Sequence, residues 1–329
     1  MMLLTLSLLA GATAAPASHQ PVTEPVPVVA APQSSVSWTA PSAYVPGHPF
    51  VVEVEVDAKK GSAIPAVWTG TAGFTVDGAA LGEGAGTFEP TVDMRFTVRL
   101  DLAESLSPTG AFQLGLAGSE ETKSIRVLTP AAAGLDFMTI PAAELPKYGV
   151  LLRTNQGDML AELWDETAPN HARNFLDLSY TEFYDGVLFH RCIPGFVIQG
   201  GDPSTKDPKT DPMRYGTGNG PRKLDAEFSA RPHERGVLSA ARLGGDVNSA
   251  TSQFFVCHAR VASLDRQYTA FGALRYGHEV MDKIVNAPKA IDEMGIDPRT
   301  GQPRRRPSDR PAEPQVIEKA IVVLLPDEG

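Results

Sequence analysis

One run of this chain gathers residue types that could do chemistry together: Phe189-His190-Arg191-Cys192-Ile193-Pro194-Gly195-Phe196-Val197-Ile198-Gln199-Gly200-Gly201-Asp202-Pro203. A cation (Arg191), an amide (Gln199) and an aromatic ring (Phe196) sit in two short apolar segments separated by Pro194-Gly195, a pattern that predicts strand, tight turn and strand. Side chains alternate across a strand, so Arg191 faces opposite to His190 and Cys192, and a bend at Pro194-Gly195 can bring Phe196 and Gln199 toward it. The group could line a small pocket with one apolar and one hydrogen-bonding wall. Taken alone, it reads first as an ordinary hairpin with a surface arginine and a core phenylalanine. His190 reads as a satisfied core histidine.

What positions this hairpin is a chain of 329 residues with 42% hydrophobic content, long enough for two separate cores. A net charge of -10 works against nucleic acid as a partner, because phosphates demand clustered Lys and Arg. Two cysteines, Cys192 and Cys257, are too few for a disulfide scaffold and lack metal-ligand spacing with their nearby histidines. Strand parity sends them to different sides of a sheet, which disfavours a bridge between them. Residues 1–14 combine an apolar core with an Ala12-Thr13-Ala14 cleavage pattern, although no Lys or Arg precedes that core. They predict a signal peptide and an exported, periplasmic or extracellular protein. The run is too short to span a bilayer and no second stretch of spanning length follows, so no membrane span is expected.

Residues 15–34 are a Pro/Ala-rich linker without periodicity. From 35 to 130, short alternating runs such as Phe50 to Val56, Val67 to Gly70, Met94 to Leu100 and Phe112 to Leu116 predict antiparallel strands. They fit a β-sandwich domain of immunoglobulin-like type, lacking the cysteine pair of antibody domains. Trp38 and Trp68 read as its core. Its role is not legible; a protein partner or adhesion through it are the open options. Residues 131–146 form a second linker, and 147–329 a second domain.

That domain opens with two strands about a polar Asn155-Gln156-Gly157-Asp158 turn, then a helix capped by Thr167, with Pro169 in its first turn and Ala172, Phe175, Leu176 and Leu178 facing inward. A loop from 204 to 223 follows the motif. Gly236 to Ala241, Ser252 to Cys257 and a run ending at Phe271-Gly272 predict further strands, and His278 to Asn286 a helix presenting Val280, Met281, Ile284 and Val285. Residues 287–314, with Arg304-Arg305-Arg306, read as a solvated insertion. A last strand covers 316–325.

Residues 147–325 resemble the cyclophilin family of peptidyl-prolyl isomerases. The carriers are the F-H-R-x-I-P-G-F-x-x-Q-G-G-D run at Phe189 to Asp202, Gly236-Val237-Leu238-Ser239 with Ala241, Ser252-Gln253-Phe254-Phe255, and Leu264-Asp265 leading to Phe271-Gly272. The resemblance implies a closed eight-stranded antiparallel barrel capped by two helices. It implies proline-containing polypeptides as substrates and no cofactor or metal. Phe196, Phe255 and Leu264 would form the cup for the proline ring. Gln199 would bind a substrate carbonyl with support from Gln253, and Ala241 and Arg242 would line the peptide groove, Arg242 mainly through its backbone. Arg191 would be the catalytic group, and Tyr268, where many members carry His, would line the rim.

Three positions depart from the family pattern. Val197 replaces a methionine and gives a shallower floor, and Arg242 stands where many members have asparagine. Ser263 replaces a large aromatic residue that closes the groove and helps bind cyclosporin. The departures imply weak cyclosporin binding and catalysis in reduced or altered form. A proline-binding chaperone or adaptor with little turnover is the competing expectation.

Overall fold

Period-two patterning builds the sheets of this chain, which is mainly β with few helices. The computed structural model describes residues 34–65, 73–81, 87–117, 119–290, 293–296, 303–306 and 308–325. The expected signal peptide, the tether as far as residue 33, and the strand expected at 67–70 with Trp68 lie outside the described residues.

In the N-terminal unit, Val51–Ala58 is the middle strand of a three-stranded sheet, flanked by Ser35–Thr39 and Met94–Asp101. Val52, Val54 and Val56 are buried while the acidic residues between them point the other way, as a half-buried pleated strand requires. A second sheet runs in the order Ala43–Tyr44, Thr122–Val127, Phe112–Leu116, Phe74–Val76, Ala79–Ala80. Trp38, Val54, Phe74, Phe112, Leu114 and Ile125 meet in one core shared by the two sheets. Trp38 is buried there as expected, edge-on to Phe74 at 6.4 Å. One pairing departs from the antiparallel expectation: Ala43 and Tyr44 run parallel to Arg126 and Val127. Pro41 ends the preceding strand, so this segment joins the second sheet by a crossing rather than a hairpin.

The larger sheet is antiparallel, in the order Thr129–Pro130, Val316–Leu324, Tyr148–Thr154, Gly157–Leu163, Ala270–Tyr276, Val237–Ala240, Phe254–Cys257, Val197–Gly200, Arg191–Cys192. Val187–Leu188 pairs back with Ile317 and Val316. The hydrogen-bonded order is an open path; one stretch of backbone, 187–192, pairs through Val187–Leu188 with Val316–Leu324, the second strand from one end, and supplies Arg191–Cys192, the strand at the other end. The stretch expected as a connector, 131–146, carries Phe137 and Leu145 fully buried in the larger core.

Two helices pack on this sheet, α1 (Pro169–Tyr180) and α2 (His278–Asn286). Both bury the residues their periodicity predicts. The cap of α1 does not follow expectation. Ala168 holds the cap position and Thr167 Oγ1 is buried without a partner. Glu227, from a distant loop, accepts the first-turn N–H groups of Asn170 (3.1 Å) and His171 (3.0 Å) instead, satisfying donors that a local side chain would otherwise take.

The insertion is not a plain solvated loop either. Glu293–Ile296 and Pro303–Arg306 pair antiparallel, and its feet are tied by Ala290 N–H to Arg310 O (2.9 Å), Ser308 N–H to Ala290 O (3.0 Å) and Ala312 N–H to Pro288 O (2.7 Å).

Between the units, Ala43, Val45 and Leu128 pack on Leu151, Leu160, Ile321 and Val323. Asp158, expected in a turn, lies inside a strand because the turn closes on Asn155-Gln156 and Gly157, at φ 127°, already begins Gly157–Leu163. Its carboxylate accepts from Arg153 Nε (3.1 Å) and Ala43 N–H (3.1 Å), and Arg153 donates to Ala43 O (2.7 Å) and to Pro49 O.

Candidate functional site

Sheet register assembles the site. Arg191 pairs with Gln199, and Gln199 with Phe255, so the three stand in one row across adjacent strands and share a face. Cys192, Ile198 and Val256 form the neighbouring row and point into the large core. Val197 and Cys257 pair one step along on the Phe255 face. The two cysteines therefore lie on opposite faces as free thiols, and burial pushes both up to about 12.

The turn between the first two strands delivers Phe196. Pro194 and Gly195 occupy its centre, Gly195 with φ 77°, and Phe196 N–H donates to Ile193 O at 3.0 Å, the pattern of a type II turn. His258 holds the turn: its Nδ1 accepts from Gly195 N–H (2.9 Å), its own N–H donates to Phe196 O (2.8 Å), and Asp282 on α2 pairs with its Nε2 (3.1 Å). Leu264 arrives on the short 3-10 turn Ala262–Leu264. Val197, Phe255, Cys257, Val261 and Leu264 then form an apolar cluster separate from the main core, with Phe196, Ala241 and Tyr268 packed against it.

Charge and hydrogen bonding sit beside that cluster. The Arg191 guanidinium lies 5.5 Å from the Phe196 ring centroid, and its Nε donates to Asp309 Oδ2 at 3.3 Å. Gln199 Nε2 donates to Gln253 Oε1 (3.1 Å), and Gln253 Nε2 donates to the carbonyls of Gly216 (3.0 Å) and Gly218 (2.7 Å). An amide nitrogen carries two hydrogens, so Gln199 keeps a donor and its oxygen for a ligand. Asp202 stitches the 204–223 loop to the motif, accepting from Ser204, Gly216 and Gly218. Burial would raise its carboxyl, but these bonds outweigh it and hold the group below its usual range.

Arg242 does more than offer its backbone. Its guanidinium donates to Gln267 O (3.1 Å) and Leu243 O (3.0 Å) and stacks 4.5 Å from the Tyr268 ring centroid, which fixes Tyr268 edge-on to Phe255 at 5.7 Å. Ala241 N–H donates to Gln253 O (2.9 Å). Ser263 is exposed, one residue before buried Leu264. His190 is buried as expected and its ring is hydrogen-bonded to the Leu188 backbone, but its Nδ1 has no partner, so it is satisfied only in part; its ring lies beneath Gly216, whose missing side chain leaves the space above it.

Three residues that the sequence reading left without a role support the cup: His258, Asp309 and His233. The His233 ring stacks on Phe255 at 6.2 Å, with Asp265 on its Nδ1 (3.1 Å) and Ser239 Oγ on its Nε2 (3.0 Å). The residue types are those of a nucleophilic triad, but Ser239 is fully buried and donates to Thr269 O at 2.9 Å, so the chain is a buttress. The His233 N–H and Arg260 draw the Asp265 carboxyl down to about 2, while burial keeps His233 below its ordinary value. The signal for this buttress was the Asp265 inside the Leu264-Asp265 block. Among the described residues no group of three His, Cys, Asp or Glu could hold a metal ion.

Two hollows bear on the cup and on the seam. One of about 390 Å³ adjoins the cup and is lined by His190, Arg191, Gln199, Met213, Tyr215 and Asp309, among others. The other, about 830 Å³, lies between the two units. Most charges lining the latter are already engaged, as in Arg99 with Glu53, Arg153 with Asp158 and Lys319 with Asp185. It is a seam, whereas the first shares Arg191 and Gln199 with the cup.

The family model described as "Cyclophilin type peptidyl-prolyl cis-trans isomerase/CLD" matches residues 149–320, just over half of the chain. Peptidyl-prolyl cis-trans isomerase ppi1 of Schizosaccharomyces pombe is 38% identical over 176 residues, 53% of this chain and 98% of that protein. Peptidyl-prolyl cis-trans isomerase CYP18-1 of Arabidopsis thaliana is 40% identical over 140 residues, 40% of this chain and 79% of that protein. Among solved structures, a Cryptosporidium parvum cyclophilin type peptidyl-prolyl cis-trans isomerase in the presence of the dipeptide Ala-Pro is similar at 30% identity, with a TM-score of 0.44, covering 54% of this chain and 99% of that one.

Proposed function

This chain belongs to the cyclophilin-type peptidyl-prolyl cis-trans isomerase family and is an isomerase of that type, and on that premise we propose that it acts on X-Pro bonds of polypeptides by an arginine-assisted rotation. Turning an X-Pro bond removes amide resonance, over a barrier of about 18 to 20 kcal/mol, and leaves the proline nitrogen pyramidal and basic. Phe196, Phe255 and Leu264 take the proline ring, Gln199 holds a neighbouring carbonyl, and Arg191 donates to that nitrogen. The last bond exists only as the amide twists, so it stabilises the transition state and not the ground state. A ~10⁵-fold acceleration requires about 7 kcal/mol, and one well-placed donor in a dry site supplies about 3 to 4. Desolvation of the amide in the apolar cup contributes to the rest.

The observation that carries this reading is the row Arg191, Gln199, Phe255, which sets a cation, an amide and an aromatic ring on one face beside the apolar cluster. Arg191→Ala tests it. Turnover of a proline tetrapeptide, read by exchange NMR, is expected to fall about 10²-fold or more while peptide affinity stays within a few fold. Unchanged turnover refutes the mechanism. A proline-binding chaperone or adaptor remains the second reading, favoured by the exposed Ser263 beside the cup; it requires peptide binding by the unaltered chain with turnover near background.

Three finer points belong to the same proposal. The larger sheet is read as a closed eight-stranded barrel, supported by the stretch 187–192, which pairs with Val316–Leu324 and continues into the terminal strand Arg191–Cys192. The two N-terminal sheets with their common core support an immunoglobulin-like sandwich as a separate domain over 35–130, with the isomerase domain at 147–329 and 131–146 between them. Residues 1–14 support export, with clients in the envelope or outside the cell; N-terminal sequencing of the mature protein, with Ala15 first, would bear this out.

A further inference from the structure

We propose that Asp309 is a positioning residue for isomerisation: it holds the Arg191 guanidinium by its Nε and so leaves the two terminal amines directed at the substrate. The proposal rests on the reading of Arg191 as the catalytic group. Arginine presents five N–H donors in one planar fork, and anchoring the inner nitrogen orients the other four without consuming them. A long side chain otherwise spreads over many rotamers, and that freedom must be lost before it can meet a nitrogen whose lone pair appears only during rotation.

Asp309 is itself fixed. Its carbonyl accepts from Cys192 N–H at 2.8 Å, so its backbone is laid against the strand that carries Arg191. Its neighbours Ser308 and Arg310 bond through their backbones to Ala290, four residues beyond the end of α2. The same helix supplies Asp282, which through His258 holds the Phe196 turn. One helix thus references both the apolar wall, through His258, and the catalytic cation, through Asp309. Among the described residues Asp309 is the sole carboxylate in contact with Arg191. At 39% and 54% side-chain exposure the pair adds little to stability, so its consequence is geometric.

Steady-state kinetics on the full chain test this with Asp309→Ala, Asp309→Asn and each change combined with Arg191→Lys, whose side chain has no Nε. Asp309→Ala is expected to lower kcat about fivefold with KM within twofold, the size of one solvent-exposed orienting contact. Asp309→Asn keeps an acceptor oxygen in the same place and is expected to recover most of the loss. In the Arg191→Lys background, Asp309→Ala is expected to have no further effect. Thermal unfolding of each variant within about 2 °C of the parent establishes that the fold is unchanged. A kcat that is unaltered or raised by Asp309→Ala, an effect confined to KM, or an equal loss in the Arg191→Lys background would each overturn the proposal. If Arg191→Ala itself retains turnover, the catalytic reading fails; if only the Asp309 variants are silent, the positioning role alone fails.

Discussion

Arg153 and Asp158 meet at 3.1 Å with side chains 9% and 1% exposed, whereas Arg191 and Asp309 meet at 3.3 Å with side chains 39% and 54% exposed. The distances hardly differ, but the surroundings do. Coulomb attraction and the penalty for losing a partner both grow as water is excluded, so the first pair is an anchor for the fold and the second is a guide for one side chain. Asp158 also receives Ala43 N–H and Arg153 donates to two carbonyls of the N-terminal unit, so the anchor joins the two units. On the proposed mechanism, the same two residue types therefore do structural or catalytic work according to burial and to what else they touch.

The largest contrast is expected on deleting each acid. Asp158→Ala leaves Arg153 buried without its carboxylate and should lower the unfolding free energy by about 3 to 5 kcal/mol in urea titrations, whereas Asp309→Ala should change it by less than about 1. Equal losses would break the comparison. A smaller, pH-dependent effect sharpens it at the seam. Burial, with Arg153 and Lys319 nearby, holds His48 below its ordinary value of 6.5. The unfolded chain then takes up a proton first, so this stabilisation is complete above about pH 6.5 and declines as the pH falls below that value. His190 and His233, both also lowered by burial, act in the same direction. His48→Gln should flatten the fall in melting temperature between pH 7 and 5 in part, and a steeper fall would contradict the assignment. The least effect on turnover belongs to the exposed side. Cyclosporin should inhibit the parent only weakly, and Ser263→Trp, which restores an aromatic wall, should tighten inhibition about tenfold; tight inhibition of the parent in a proline-peptide assay would contradict this.

What was legible in the sequence is what periodicity encodes. Strand parity placed Arg191 opposite Cys192, and the motif blocks brought Phe255 and Leu264 to the Phe196 side, which the register and the apolar cluster reproduce. Helical spacing gave the buried faces of α1 and α2. What escaped is what a distant loop supplies. Asp309 lies 118 residues from Arg191 in an insertion whose composition reads as solvated. Glu227 caps a helix 57 residues before it in the chain, leaving the local candidate Thr167 unused. Asp158 looked like a turn residue because Asn, Gln, Gly and Asp favour turns locally, and only tertiary contact with Arg153 and Ala43 draws it into a strand. Periodicity tells which face a side chain takes, but not which loop will return to meet it.

The last strand, Val316–Leu324, lies between Thr129–Pro130 and Tyr148–Thr154, and Val187–Leu188 pairs with it as well. Everything it touches is synthesised earlier, and its partners reach back almost two hundred residues. The N-terminal sheets can collapse while the ribosome is still working, but the seam cannot close, nor can Val187–Leu188, just before the Arg191 strand, gain its partner, until this final segment emerges. Until then the nascent isomerase exposes unpaired strand edges, and it carries 28 prolines of its own whose peptide bonds isomerise slowly. The isomerase must itself pass through this delay before its own site is assembled.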